Sequence, residues 1–256
     1  MDKIRVTVWN EYRHEKHMEE VRALYPEGLH ATIAEALREC GDLEVRLAAL
    51  DDPDQGLPDD VLNNTDVLFW WGHMAHGEVR DELAEKIRLR VLDGMGLIVL
   101  HSGHLSKVFR HTVGTTGNLL WGDCIHEVVW NVRPDHPIAR GIPSHFHIPS
   151  EEVYAEPFQI PDPDELVFLS WFENGYVFRS GCVWRRGFGK VFYFQPGHET
   201  VPTYHNPYVR TILRNAAHYC APPEFGYRPT KAGEGCPWIK GFFAPADEID
   251  GLRKEL

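Results

Sequence analysis

Residues 66–104 read DVLFWWGHMAHGEVRDELAEKIRLRVLDGMGLIVLHSGH, and this stretch decides the fold. Asp66–Trp71 is apolar after its first residue, as a strand buried on both faces must be. Glu78–Leu92 spaces its apolar residues as a helix does and stops at Gly94. Gly96–Leu100 is a second apolar run. Strand, helix and strand in about forty residues make a parallel crossover unit.

The same alternation extends outward. Ile4–Trp9 and Leu43–Ala49 read as strands. Between them, Gly28–Cys40 reads as a helix with Leu29, Ile33, Ala36, Leu37 and Cys40 on one face, ended by Gly41. A further helix is expected near Leu105. The fold class is therefore α/β: a three-layer sandwich around a mostly parallel, doubly wound, flavodoxin-like sheet. After residue 117 the texture changes. Glu127–Val132, Leu166–Trp171, Tyr176–Trp184 and Lys190–Phe194 read as strands joined by Pro- and Gly-rich loops, which adds antiparallel strands to the C-terminal half. Asn206–Tyr219 reads as a closing helix. Residues 1–220 form one domain in this reading. Residues 221–256 form a Pro- and aromatic-rich extension (Phe225, Tyr227, Trp238, Phe242, Phe243) that needs an apolar surface on the domain or on a neighbouring subunit. The chain is accordingly expected to be a homo-oligomer.

Composition narrows the partners. The 256 residues carry a net charge of −12, and this sign opposes nucleic acid and anionic membranes. The five cysteines are widely spaced and form no CxxC, which fits reduced thiols rather than a disulfide frame. The N-terminus has no secretory pattern and no apolar run has membrane-spanning length, so the expected location is cytoplasmic.

In an open parallel sheet, ligands bind beyond the carboxyl ends of the strands. Those ends are rich in chemistry. Asn10, Glu11, Arg13, His14, Glu15 and His17 follow the first strand; His73 and His76 follow Asp66–Trp71; His101, Ser102 and His104 follow Gly96–Leu100; Gly197, His198 and Glu199 follow Lys190–Phe194. Three HxxH pairs occur (His14/His17, His73/His76, His101/His104) where chance gives about one.

Imidazoles suit zinc and related metals, and a catalytic zinc needs three protein ligands and one open position. His14, His73, His101 and His198 are the candidate ligands of a divalent metal, zinc or manganese. Glu199 or Glu152 is the candidate carboxylate ligand or base. The alternative is a metal-free polar pocket that binds a polyhydroxylated ligand with neutral histidines; in either case Asn10, His14, His73, His104, Ser102 and Tyr154 are the candidate substrate-binding residues. Neither HExxH nor a zinc-finger spacing occurs, and no nucleotide cofactor is expected. Ser102 sits at the turn where a hydrolase would carry its nucleophile, with His198 as partner, but G-x-S-x-G is incomplete. Residues 150–156 (SEEVYAE) form an acid cluster expected in a loop, where neighbouring carboxylates raise one another's pKa. Of the frequent tryptophans, Trp70, Trp71, Trp121, Trp130, Trp171, Trp184 and Trp238, some are candidates to stack on sugar rings, with core or interface packing the commoner role for any one of them.

The blocks VTVWNEYRHE, FWWGHMAH, LHSGHLSKVF, EEVYAEPF, FRSGCVW and FQPGHETVPTY resemble the trehalose-utilisation, ThuA-like proteins from about residue 4 to about residue 220. The resemblance implies the class I glutamine amidotransferase fold. It departs from the amidotransferases at the elbow, where His101 stands in place of cysteine, so glutaminase activity is not expected. It implies a small-molecule sugar substrate, trehalose-type disaccharides or their 3-keto derivatives. Lyase, hydrolase or isomerase chemistry would be carried by His101, His198, Glu199 and Glu152. The alternative is a sugar-binding or regulatory protein on an amidotransferase scaffold.

Overall fold

A computed structural model of the chain describes residues 3–222. The strands, in chain order, are β1 (Ile4–Asn10), β2 (Leu43–Ala49), β3 (Val67–Trp71), β4 (Gly96–Leu100), β5 (Leu120–Asn131), β6 (His145–Ala155), β7 (Glu165–Phe172), β8 (Val177–Arg186) and β9 (Gly189–Phe194). The helices are α1 (His14–His17), α2 (Glu19–Leu24), α3 (Leu29–Arg38), α4 (Asp59–Asn63), α5 (Asp81–Leu92), α6 (Lys107–Val113) and α7 (Pro207–Cys220).

All nine strands join one sheet in the order β2-β1-β3-β4-β9-β8-β7-β5-β6. The half from β2 to β9 is parallel, and the half from β9 to β6 is antiparallel. The chain leaves β1 toward β2 on one side and returns to β3 on the other, which makes the β1/β3 junction the topological switch point.

The two faces of β3 show how the sandwich is filled. Val67, Phe69 and Trp71 enter one core, with Leu29, Ile33 and Leu37 of α3 and Val209, Ile212 and Leu213 of α7. Leu68 and Trp70 enter the other, with Leu83, Ala84 and Ile87 of α5 and Val108 and Phe109 of α6. The period-2 alternation of a strand divides an unbroken apolar run between two cores. Trp70 stacks on Trp9 of β1 with ring centroids 3.7 Å apart.

One expectation fails instructively. Residues 150–155 of the acid cluster form the last part of β6 rather than a loop, and Glu156 stands just past its end. Pro149 and two adjacent glutamates mask the strand pattern. Proline is tolerated there because β6 is the edge strand. Alternation then sends Glu151 and Glu152 to opposite faces, which matters for the site. The short helices α1, α2 and α4 also escape a periodicity search, being too brief to show a repeat. The extension expected over 221–256 falls outside the described residues after position 222.

Candidate active site at the strand ends

The loops after β1, β3, β4 and β9 converge, and β6 approaches from the antiparallel half. His14, at the start of α1, and His73, after β3, stack with ring centroids 5.0 Å apart at the switch point. Glu199, after β9, completes a trio. His14 Nε2 lies 3.3 Å and His73 Nδ1 lies 3.4 Å from Glu199 Oε1, and the two nitrogens are 3.2 Å apart. Four-coordinate zinc with bonds of about 2.0–2.1 Å sets its ligand atoms about 3.3 Å apart in a tetrahedron. The trio has that spacing. Two further observations favour a cation. The second oxygen of the trio's carboxylate, Glu199 Oε2, is buried without a hydrogen-bond partner. His73 is 35% exposed while the other two side chains are buried, which leaves one side open for a further ligand.

Two buried carboxylates set these residues in place. Glu11 accepts the backbone N–H groups of His73 (2.7 Å), Met74 (2.9 Å) and Ala75 (3.0 Å), so it fixes the turn that carries His73. Its Oε1 also lies 3.7 Å from His14 Nδ1, the side that favours Nδ1–H and leaves Nε2 with its lone pair. Glu151 accepts from Gly197 N (2.9 Å), His198 N (3.0 Å) and Thr203 Oγ1 (2.7 Å), and so clasps the turn that presents His198 and Glu199. Gly197 occupies φ +145° there, with Tyr204 where a side chain would go.

A second group adjoins the first. His101 takes the sharp turn after β4 at φ +48°. Its Nδ1 donates to the Gln195 carbonyl (2.8 Å) and its Nε2 meets Glu152 Oε2 at 3.0 Å. Tyr154 stacks on its ring at 4.9 Å. His198 packs edge-on against His101 at 5.4 Å, and its Nε2 lies 3.6 Å from Glu199 Oε1. The backbone N–H of Thr200 donates to His198 Nδ1 (3.2 Å), which leaves the proton of the neutral ring on Nε2, facing the cleft.

The electrostatics separate the roles. Burial opposes charge on His101, but the hydrogen bond and charge of Glu152 win and raise it to about 9. Burial pushes Glu152 up, and its contact with His101 more than reverses this, holding it below the usual carboxylate range. The two form an ion pair at neutral pH. Burial pushes Glu199 up as well, yet His73, His198 and His14 bring it down to about 2. Burial lowers His198 to about 4 and His104 to about 3, so both are neutral.

The four histidines expected to bind one metal thus divide between two groups, His14/His73/Glu199 and His101/Glu152/His198. Both nitrogens of His101 are already engaged, so the first trio is the better cation site. None of the HxxH pairs acts as a pair. His17 is exposed, His76 sits behind the Glu11 turn, and His104 turns its Nδ1 to the Gly117 carbonyl at 2.6 Å and its ring edge to Tyr154. Three other residues expected to contact substrate face inward. Asn10 donates to Glu15 (2.7 Å), Ser102 Oγ donates to the Gly72 carbonyl (3.1 Å), and Tyr154 is 3% exposed behind His101. Ser102 is buried and bound to backbone, so the serine-nucleophile alternative loses its support. Glu151 and Glu11 carry no signal in a local pattern, because their partners lie 46–47 and 62–64 residues away.

The sequence matches a family described as trehalose utilisation, ThuA, over residues 5–220. Comparison with curated proteins returns no match. Among solved structures, a ThuA-like protein from Parabacteroides merdae superposes with a TM-score of 0.66 at 13% identity, over 86% of this chain and 90% of that one. A cytoplasmic protein from Salmonella typhimurium gives 0.57 at 14% identity, over 86% and 99%. A glutamine amidotransferase from Thermotoga maritima gives 0.52 at 12% identity, over 85% and 99%. These likenesses establish the amidotransferase-like fold. No helix among the described residues is long and apolar enough to cross a membrane.

Proposed function

The chain belongs to the trehalose-utilisation family ThuA, and we propose that it is an enzyme acting on trehalose-type disaccharides or their 3-keto derivatives by proton abstraction and elimination. The observation that carries this reading is the side-by-side placement of a cation-ready trio, His14/His73/Glu199, and an ion-paired base, Glu152 with His101. A binding protein needs hydrogen-bonding groups and flat apolar surfaces; it has no use for two groups whose protonation is held so far from their ordinary values.

The chemistry follows from the positions. Glu152 is ionised and 12% exposed, so its carboxylate is the group that reaches substrate. It takes the proton from the carbon beside the keto group, and the electron pair moves into the carbonyl as an enolate. A divalent cation at the trio, when bound, supplies positive charge for the enolate oxygen. The enolate pair returns, the bond from C1 to the bridging oxygen breaks, and that oxygen takes back the proton that Glu152 removed, while neutral His198 donates a hydrogen bond to it from Nε2. The products are an unsaturated keto sugar and the released sugar. His101 is fully buried, so it acts through Glu152 as a positioning residue, holding the carboxylate ionised and oriented. His104, also buried, is too far inside to serve as the acid.

Elemental analysis of the purified protein and of Glu199→Ala tests the cation, and 3-keto-trehalose assayed with and without chelator tests the reaction. Near-stoichiometric zinc or manganese that falls in the variant, with chelator-sensitive turnover, is the expected result. Tight sugar binding with no product formed would sink the enzymatic reading and leave a sugar-binding protein.

A further inference from the structure

A concavity of about 600 Å³ opens between the start of β5 and the turn joining β7 to β8. Its size is that of small-molecule sites. Trp121 is 74% exposed and Tyr176 is 50% exposed on its lining. Aromatic rings this bare are costly to leave in water and commonly mark a surface that is covered when a ligand binds. Between them stand Asp123, Glu173 and Asn174, all exposed.

This mixture selects a chemistry. A pyranose offers one apolar C–H face, which stacks on an indole or phenol ring, and a rim of hydroxyls, which donate to carboxylates and exchange hydrogen bonds with an amide. The two carboxylates, on a chain of net charge −12, oppose a phosphorylated sugar.

The register ties the concavity to the site. Across the β5/β6 ladder Trp121 pairs with Tyr154, whose ring stacks on His101, and Cys124 pairs with Glu152. Trp121 and Cys124 are three residues apart across a bulge, within about 10 Å of strand, and Val153 and Ala155, which line the concavity, alternate along β6 with Glu152 and Tyr154 of the site, so the two lie within the length of a disaccharide. We propose that this concavity is a second sugar subsite, which holds the non-reacting pyranose of an unphosphorylated disaccharide while the other ring lies at Glu152. The assignment rests on the disaccharide reading above and adds which ring is held where, and why phosphate is refused.

Calorimetric titration of the full-length protein with trehalose, glucose and trehalose 6-phosphate tests it, in the parent and in Trp121→Ala and Tyr176→Ala. Both side chains are exposed, so the variants should fold, and circular dichroism checks that they do. Trehalose should bind more tightly than glucose and more tightly than its phosphate. Trp121→Ala should weaken trehalose about tenfold, the loss of one ring-stacking contact. Parent-like trehalose affinity in both variants overturns the subsite and leaves the functional reading standing. Trehalose 6-phosphate binding as tight as that of trehalose overturns the charge argument, and a parent that binds neither trehalose nor glucose overturns the subsite, while turnover of 3-keto-trehalose by that parent leaves the functional reading standing.

Discussion

The roles of individual residues turn on which atoms are left over after local needs are met. Glu152 has one oxygen on His101 and an edge toward the cleft, and it is the only described member of its trio both ionised at neutral pH and partly exposed. Glu152→Gln keeps the shape and removes the base. Turnover of a 3-keto disaccharide should fall about 10²–10⁴-fold, the usual worth of a general base, with substrate affinity little changed; rapid-quench kinetics separates the two. Glu11 acts one step back, on His73 and His14. Glu11→Gln brings an N–H₂ against amides that also donate, so the His73 turn should loosen. Zinc affinity should then drop about 10–100-fold, as for lost outer carboxylates elsewhere. Competition with a chromophoric chelator measures this without any assay of activity, and unchanged affinity in a folded variant would remove Glu11 from the ligand set's support.

At the scale of elements, short irregular turns hold the site and long regular strands hold the turns. β9 ends at Phe194, and four residues later the chain has delivered His198 and Glu199 to opposite tasks. That reversal needs Gly197 at φ +145°, a conformation closed to other residues by sterics, and Tyr204 fills the space where a side chain would stand. Gly197→Ala should cost about 1–3 kcal/mol in urea unfolding and displace the Glu199 carboxylate, so metal content should fall with stability. A variant with parental stability and metal content would show that the turn tolerates a Cβ. The same scale explains β6. An edge strand can accept Pro149, and its alternation uses two adjacent glutamates for different ends, Glu151 as a clasp on the Gly197–His198 turn and Glu152 as the partner of His101 and the proposed base.

The whole molecule carries the consequence of burying neutral histidines. Burial lowers His104 to about 3, whereas an unfolded histidine titrates near about 6.5. Between those values the unfolded chain holds a proton that the folded chain does not. Stability contributed by this residue therefore rises with pH across that window and is level above it. One such group gives a slope of at most about 1.4 kcal/mol per pH unit. His104→Gln retains a donor for the Gly117 carbonyl and removes the titration. Urea unfolding from pH 4 to 7 should show a shallower slope in the variant by up to one proton; parallel curves would mean that His104 is protonated in the folded state. The sequence by itself determined the parallel half-sheet, because apolar strand and amphipathic helix periods are local and survive without tertiary context. It also brought His14, His73, His101, His198 and Glu199 into view, because strand ends are legible wherever strands are, and Glu152 as one of a run of acids whose strand it did not show. Only the tertiary structure decided that the four histidines belong to two groups, that His104, Ser102 and Asn10 turn inward, and that Glu11 and Glu151 organise the loops. The physical reason is that these outcomes depend on side-chain direction and on contacts between segments far apart in the chain, and neither leaves a local period to read.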